Sequence, residues 1–261
     1  MTLSGEAISD VNVLGTRIAA VNLETAVGRI GEWLSQEATG RYVCVTGVHG
    51  VMESRRDPEI RSIHNSAAAC VPDGMPMTWV GRIHGHSDMG RVYGPDLMLR
   101  MLEFSAERGY RNFFYGGAEG VADDLKVRME HRFPGIKIIG TFCPPFRPLS
   151  SEEKERVISN LNRLKPELVW VGLSTPKQEL FMAEFHEELD VKVMIGVGAA
   201  FDFHTGRVRQ APRWMMRAGL EWLFRLCVEP VRLGPRYFRN NPSFIWNILL
   251  QHSGLRKYPV D

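Results

Sequence analysis

Cysteine is scarce in this chain. The four present, Cys44, Cys70, Cys143 and Cys227, stand far apart with no C-x-x-C pair, which excludes a zinc knuckle or dithiol redox motif and suits a reducing, cytosolic compartment. Long apolar runs are missing too: none approaches the ~18–20 residues that a bilayer-spanning helix requires. The first residues hold the acidic Glu6 and Asp10 instead of a basic stretch followed by an apolar one, so no secretory signal is expected. No G-x-G-x-x-G follows a strand, which argues against a nicotinamide-dependent oxidoreductase, and neither H-E-x-x-H nor D-x-D is present to hold a divalent ion. Nor is there an excess of one charge, the net being +2, but the sum hides a split. Residues 205–261 hold 10 Lys and Arg against 3 Asp and Glu, a balance of +7, while residues 1–204 hold 22 against 27, a balance of −5. What remains is an ordinary soluble composition, 44% hydrophobic and 24% charged. That excludes a disordered or fibrous chain.

Short runs rich in β-branched and aromatic residues alternate with helical patterns. Strands are expected at residues 41–46, 69–71, 112–115, 136–140, 168–172 and 191–197, with an earlier one near 11–14. Helical spacing recurs over residues 23–34, 47–56 and 94–107, after the Ser150-x-x-Glu153 capping box, and from Pro176 to about Leu189. The alternation predicts an α/β fold, a Rossmann-like, mostly parallel sheet with helices on both faces, because parallel neighbours need crossovers of a dozen or more residues. This sheet domain is expected over residues 1–206. Beyond it, Pro212, Pro230, Pro235 and Pro242 divide short helices, and residues 207–261 read as a basic, aromatic-rich helical C-terminal appendage. Ligands of such sheets bind beyond the carboxyl ends of the strands.

Several constellations fall at those ends. Asp73, in Val71-Pro72-Asp73-Gly74-Met75, follows a short strand where Pro72 and Gly74 would fix a turn. A carboxylate held there can act as a general base, or merely form an Asx turn or helix N-cap. Thr46 ends the preceding strand in the same way, as a cap or as a partner of that carboxylate. Gly116 and Gly117 would let backbone N–H groups approach a phosphate at a helix start, or serve the turn alone. In Gly172-Leu-Ser-Thr-Pro-Lys-Gln-Glu179, Gln178 offers donor and acceptor to a sugar or base. Lys177 in a first helical turn is opposed by the macrodipole, which an anionic ligand would rationalise; a solvated turn balanced by Glu179 is the alternative. His84-Gly-His86-Ser-Asp88 reads as a polar surface loop rather than a metal site. In the tail, Arg213, Arg217, Glu221 and Arg225 fall four apart on one helical face, and Arg232, Arg236 and Arg239 follow. Arginines grip phosphates bidentately, and the neighbouring Trp214, Trp222 and Trp246 suit a membrane interface, a packed amphipathic helix or an oligomer contact. A nucleic-acid binder using this tail, or a non-catalytic nucleotide-binding module, is the rival class, but no RNP, KH or helix-turn-helix pattern accompanies the basic residues.

Taken in order, Thr46, Pro72-Asp73-Gly74, Gly116-Gly117, Pro176-Lys177-Gln178-Glu179, Phe201-Asp202-Phe203 and Leu220-Glu221-Trp222-Leu223-Phe224-Arg225-Leu226 closely resemble the WecG/TagA/CpsF glycosyltransferase family, from about Val11 to Trp246. The resemblance implies an inverting, metal-independent hexosyltransferase with no cofactor. Its reaction would move an N-acetylmannosaminyl, uronic acid or glucosyl unit from a UDP-sugar to a polyprenyl-diphosphate-linked saccharide in cell-surface polysaccharide synthesis. Residues 1–206 would then be the catalytic domain, and residues 207–261 would close over the active site and contact the inner face of the cytoplasmic membrane peripherally. No nucleic-acid partner is expected, and a homo-oligomer is left open. By the same resemblance Asp73 is the base, Thr46 and Gln178 are pocket residues, Asp202 contacts the nucleotide, and Arg225 and Arg232, with Arg236, engage diphosphate. Gly116, Gly117 and Lys177 join them as substrate-binding candidates. Two departures stand out: the chain reads Thr46-Gly47-Val48 where many members read Thr-x-Asn, and Pro235 interrupts the arginine-rich stretch before Arg236.

Overall fold

The computed structural model describes residues 8–260, so the leader expectation, which rests in part on Glu6, lies outside the described residues. β1 (Asp10–Val13) and β2 (Thr16–Ala19) pair antiparallel as a hairpin. Its two-residue turn holds Leu14 at φ 55° and Gly15 at φ 89°, the primed geometry that matches the twist of the flanking strands. β2 was not foreseen, since four residues containing Arg17 give too short an alternation to separate it from the turn. The chain continues through α1 (Leu23–Ser35), β3 (Arg41–Thr46), α2 (Val48–Arg56), α3 (Pro58–Ser66), β4 (Ala69–Pro72), α4 (Met75–Ile83), α5 (Gly94–Arg108), β5 (Arg111–Gly116), α6 (Val121–Arg132) and β6 (Lys137–Phe142). It ends with α7 (Ser151–Leu164), β7 (Leu168–Gly172), α8 (Lys177–Phe185), β8 (Val193–Gly196), α9 (Ala200–His204), α10 (Arg213–Arg217), α11 (Glu221–Val228) and α12 (Pro230–His252).

The main sheet has the order β4-β3-β8-β7-β5-β6. β3 with β8, β8 with β7, β7 with β5 and β5 with β6 all pair parallel, as the strand–helix alternation predicts. Consecutive buried residues along β3, β5 and β7 mark strands covered on both faces. The expected capping box also forms: Ser150 Oγ accepts from the Glu153 N–H and the Glu153 carboxylate accepts from the Ser150 N–H.

Two compact units make up the chain. One gathers the described residues up to Leu23, Thr46–Val92, and the residues from Ala211 on; the other gathers Glu24–Val45 and Tyr93–Gln210. In the second unit the core is aromatic: Phe113, Phe114, Tyr115, Trp170 and Phe201 are almost wholly buried, each contributing about 2–3 kcal/mol of apolar burial. Within it, Trp170 Nε1–H donates to Asn112 Oδ1 at 3.1 Å and Asn112 Nδ2 donates to Ser105 Oγ. In the first unit, α12 packs on α2, and Gln251 bridges to the hairpin by accepting from Leu14 N–H and donating to Asn12 O.

The tail differs from expectation in two ways. Arg213, Arg217, Glu221 and Arg225 do not share one helix, because α10 ends at Arg217 and Gly219, at φ +74°, turns the chain before α11. A Cβ on Gly219 would come within 2.7 Å of the Trp79 ring. Conversely, Pro235 and Pro242 do not divide helices; both lie inside the 23-residue α12. Each proline frees the carbonyl four residues earlier, at Val231 and Phe238. Those residues are 90% and 75% exposed, so water can take the freed groups.

Candidate functional site

In the first unit, the end of β4 is stitched to the end of β3: Asp73 N–H donates to Thr46 O at 2.9 Å. Gly47 permits the approach, since a Cβ there would lie 2.7 Å from the Asp73 carbonyl oxygen. The Thr46 hydroxyl is buried and has no hydrogen-bond partner among the described residues. Such a group costs free energy unless a ligand or water satisfies it. On the other side, Val92 N–H donates to Pro72 O at 2.8 Å, and this backbone bond sets Arg91 beside Asp73. Arg91 Nη2 donates to Asp73 Oδ1 at 3.3 Å and makes a closer contact with Glu221 Oε2 at the start of α11.

The Asp73 side chain remains 34% exposed, against 14% for both Arg91 and Glu221, so of the three it is the one a substrate can reach. Burial pushes its carboxyl above the ordinary carboxylate value; Arg91 pulls it back, Glu221 raises it again, and Arg225 lowers it. A raised pKa makes a carboxylate at a strand end a stronger base than an ordinary one.

The three expected arginines of the tail meet around an acid that sequence reasoning passed over. Arg232 grips Glu229 with Nε and Nη2 at 2.7 and 2.6 Å, and Arg225 lies 3.8 Å from the same carboxylate. The Arg232 hydrogen bond holds the Glu229 carboxyl below its usual range, against its partial burial, and the charges of Arg232, Arg225 and Arg236 add to the effect. Arg236 is pushed below its usual value by burial, and its Nε has no hydrogen-bond partner among the described residues.

In the second unit, the ends of β5, β7 and β8 carry Gly116, Gly172 and Gly196. A Cβ on Gly116, at φ +118°, would lie 2.6 Å from the Gly172 carbonyl oxygen. Gly117 N–H donates to that same oxygen at 2.9 Å, so this amide joins the ends of two paired strands. At the start of α8, Gln178 is 2% exposed. Its Oε1 accepts from Gly198 N–H at 2.9 Å and its Nε2 donates to Glu179 Oε1 at 3.0 Å. One N–H and one lone pair of the amide remain. Thr175 Oγ1 donates to Glu179 Oε1 as well, while Glu179 Oε2 is buried with no partner among the described residues. Lys177 is exposed at the same helix start, after the cis Thr175–Pro176 bond, and Asp202 lies half-buried in α9.

The structure therefore groups Thr46, Asp73 and Arg225 in the first unit, with Arg232 and Arg236 near Arg225 around Glu229. Gly116, Gly117, Lys177, Gln178 and Asp202 fall in the second unit. Arg91 and Glu229 were missed. Arg91 lies 18 residues from Asp73 with no motif spacing to mark it, whereas Glu229 had a signal, being one of three acids in a tail of balance +7.

The family model described as Glycosyl transferase WecG/TagA/CpsF family matches residues 11–258. A protein of Bacillus spizizenii strain W23, named N-acetylglucosaminyldiphosphoundecaprenol N-acetyl-beta-D-mannosaminyltransferase, is 28% identical over 210 residues, covering 80% of this chain and 79% of the relative. A protein of the same name from Bacillus subtilis strain 168 is 25% identical over 211 residues, covering 81% and 80%.

Proposed function

The chain belongs to the WecG/TagA/CpsF family of glycosyl transferases, and we propose that it is an inverting hexosyltransferase moving N-acetylmannosamine from a UDP-sugar to a polyprenyl-diphosphate-linked N-acetylglucosamine during cell-surface polysaccharide synthesis. The names of the two relatives support the transferred sugar and the acceptor. The observation that carries the chemistry is a half-open, raised-pKa carboxylate, Asp73, at a strand end.

In this reading Asp73 takes the proton from the acceptor hydroxyl as that oxygen attacks the anomeric carbon from the face opposite the leaving UDP. Thr46 hydrogen-bonds substrate beside it. Arg225, Arg232 and Arg236 meet the charge that develops on the departing diphosphate, and the lack of a D-x-D motif is what favours arginines over a required metal ion. In the second unit, Gln178 and Asp202 serve the donor nucleotide, with Lys177, Gly116 and Gly117 as accessory contacts.

Residues 207–261 are assigned to closure of the site and to peripheral attachment at the cytoplasmic face. No helix among the described residues is long and apolar enough to cross a membrane. Val231, Phe238 and Ile245, exposed and seven apart on α12, share one helical face with arginines nearby, as a helix lying in a lipid interface requires. The decisive experiment offers a panel of UDP-sugars with a lipid-diphosphate-linked N-acetylglucosamine and identifies products by mass and anomeric configuration. A β-linked N-acetylmannosaminyl product is expected. No transfer from any UDP-sugar would refute the reading.

A further inference from the structure

We propose that Glu221 is a positioning residue for Asp73: by holding Arg91 from the far side, it divides that guanidinium between two carboxylates and leaves Asp73 able to take a proton. This rests on the reading of Asp73 as the base and goes beyond it, because Glu221 acts through Arg91 and touches no reacting atom.

The geometry that carries the inference is one nitrogen with two acceptors. Arg91 Nη2 faces both Asp73 Oδ1, at 3.3 Å, and Glu221 Oε2, which is nearer. Arginine and carboxylate ordinarily form a close, parallel, two-point pair. Here Arg91 gives Asp73 a single long contact, since the guanidinium is drawn toward α11. A carboxylate locked in a full arginine pair is a weak base, because the cation stabilises its ionised form. With Glu221 in place, Arg91 stands between two anions. Arg91 and Glu221 are each only 14% exposed, so solvent screens this competition far less than at an open surface. The charged groups facing Asp73 are Arg91 from the segment before α5 and Glu221 and Arg225 from α11. Glu221 is the anion among them.

The sign of the effect follows. Neutralising Glu221 removes a nearby negative charge and releases Arg91 to Asp73, and both changes favour the ionised carboxylate. The Asp73 titration must move down.

The test uses the full chain with carboxyl-labelled aspartate, following the Asp73 carbon by NMR as pH is varied, together with the pH profile of kcat/KM for sugar transfer. In Glu221→Gln the midpoint and the acidic limb should both fall by about half a pH unit or more, and plateau kcat should fall severalfold. Glu221→Asp, one methylene shorter, should give a smaller shift in the same direction, and it decides the matter if Glu221→Gln does not fold. Were Glu221 only a tether for α11, the variants would melt earlier and leave the Asp73 midpoint in place. That result overturns the proposal. Asp73→Asn with wild-type turnover would instead remove Asp73 as the base, while the NMR midpoint would still answer for Glu221.

Discussion

The two units hold their candidate residues by different physics. Around Asp73 the organising force is charge: a guanidinium between two carboxylates, a second cation in Arg225, and a carboxylate left one-third open. Around Gln178 it is close approach and neutral hydrogen bonding, with a buried amide bridging to Gly198 and Glu179, and Gly116 where no side chain fits. A charge cluster can be retuned by one substitution while the fold persists. A cluster set by backbone contact cannot.

The contrast can be broken at several points. Asp73→Asn should lower turnover by about 10²–10⁴, the usual worth of general-base help. The fold should survive, since a carboxyl whose pKa is raised in the fold destabilises the native state when ionised, a cost present above that pKa and absent from asparagine. Transfer assays and thermal melts at neutral pH check both halves; a variant within about threefold of wild-type turnover contradicts the base assignment. By the same shift, kcat/KM of the wild type should rise with pH through a value above the ordinary carboxylate range.

Gly116→Ala tests the other unit. Its methyl must displace the Gly172 backbone and adopt φ +118°, so a loss of about 3 kcal/mol is expected, read as a lowered urea midpoint. Unchanged stability would show that the close approach of β5 and β7 at Gly116 and Gly172 can yield. Gln178→Leu should have the smallest effect, about 1–3 kcal/mol from leaving the Gly198 N–H without its partner and taking one of two donors from Glu179 Oε1, with KM for the donor rising more than kcat falls. If kcat fell a hundredfold with stability intact, Gln178 would belong to the chemistry and the comparison would fail on that side.

Much of the fold was legible because its signals are local. The strands at residues 41–46 and 168–172 agree with β3 and β7 to the residue, and the Ser150–Glu153 box marks the start of α7. The tail was less legible. Proline reads as a helix breaker, yet Pro235 and Pro242 sit within α12, where the freed carbonyls belong to exposed residues. Four-residue spacing linked Arg217 to Glu221 on paper, and a single left-handed glycine, Gly219, separates them. Both errors came from treating a sequence interval as though its backbone were already known.

By itself the sequence determined the class of the fold, the family motifs and the presence of a carboxylate at the end of a strand, since periodicity, capping and turn residues act over a few positions. It also located the basic tail. Only the tertiary structure decided what that carboxylate faces. Arg91 is brought to Asp73 by a backbone bond between Val92 and Pro72, and Glu221 reaches Arg91 across 130 residues of chain. Ion pairs of that separation follow from the path of the backbone, which no local pattern encodes.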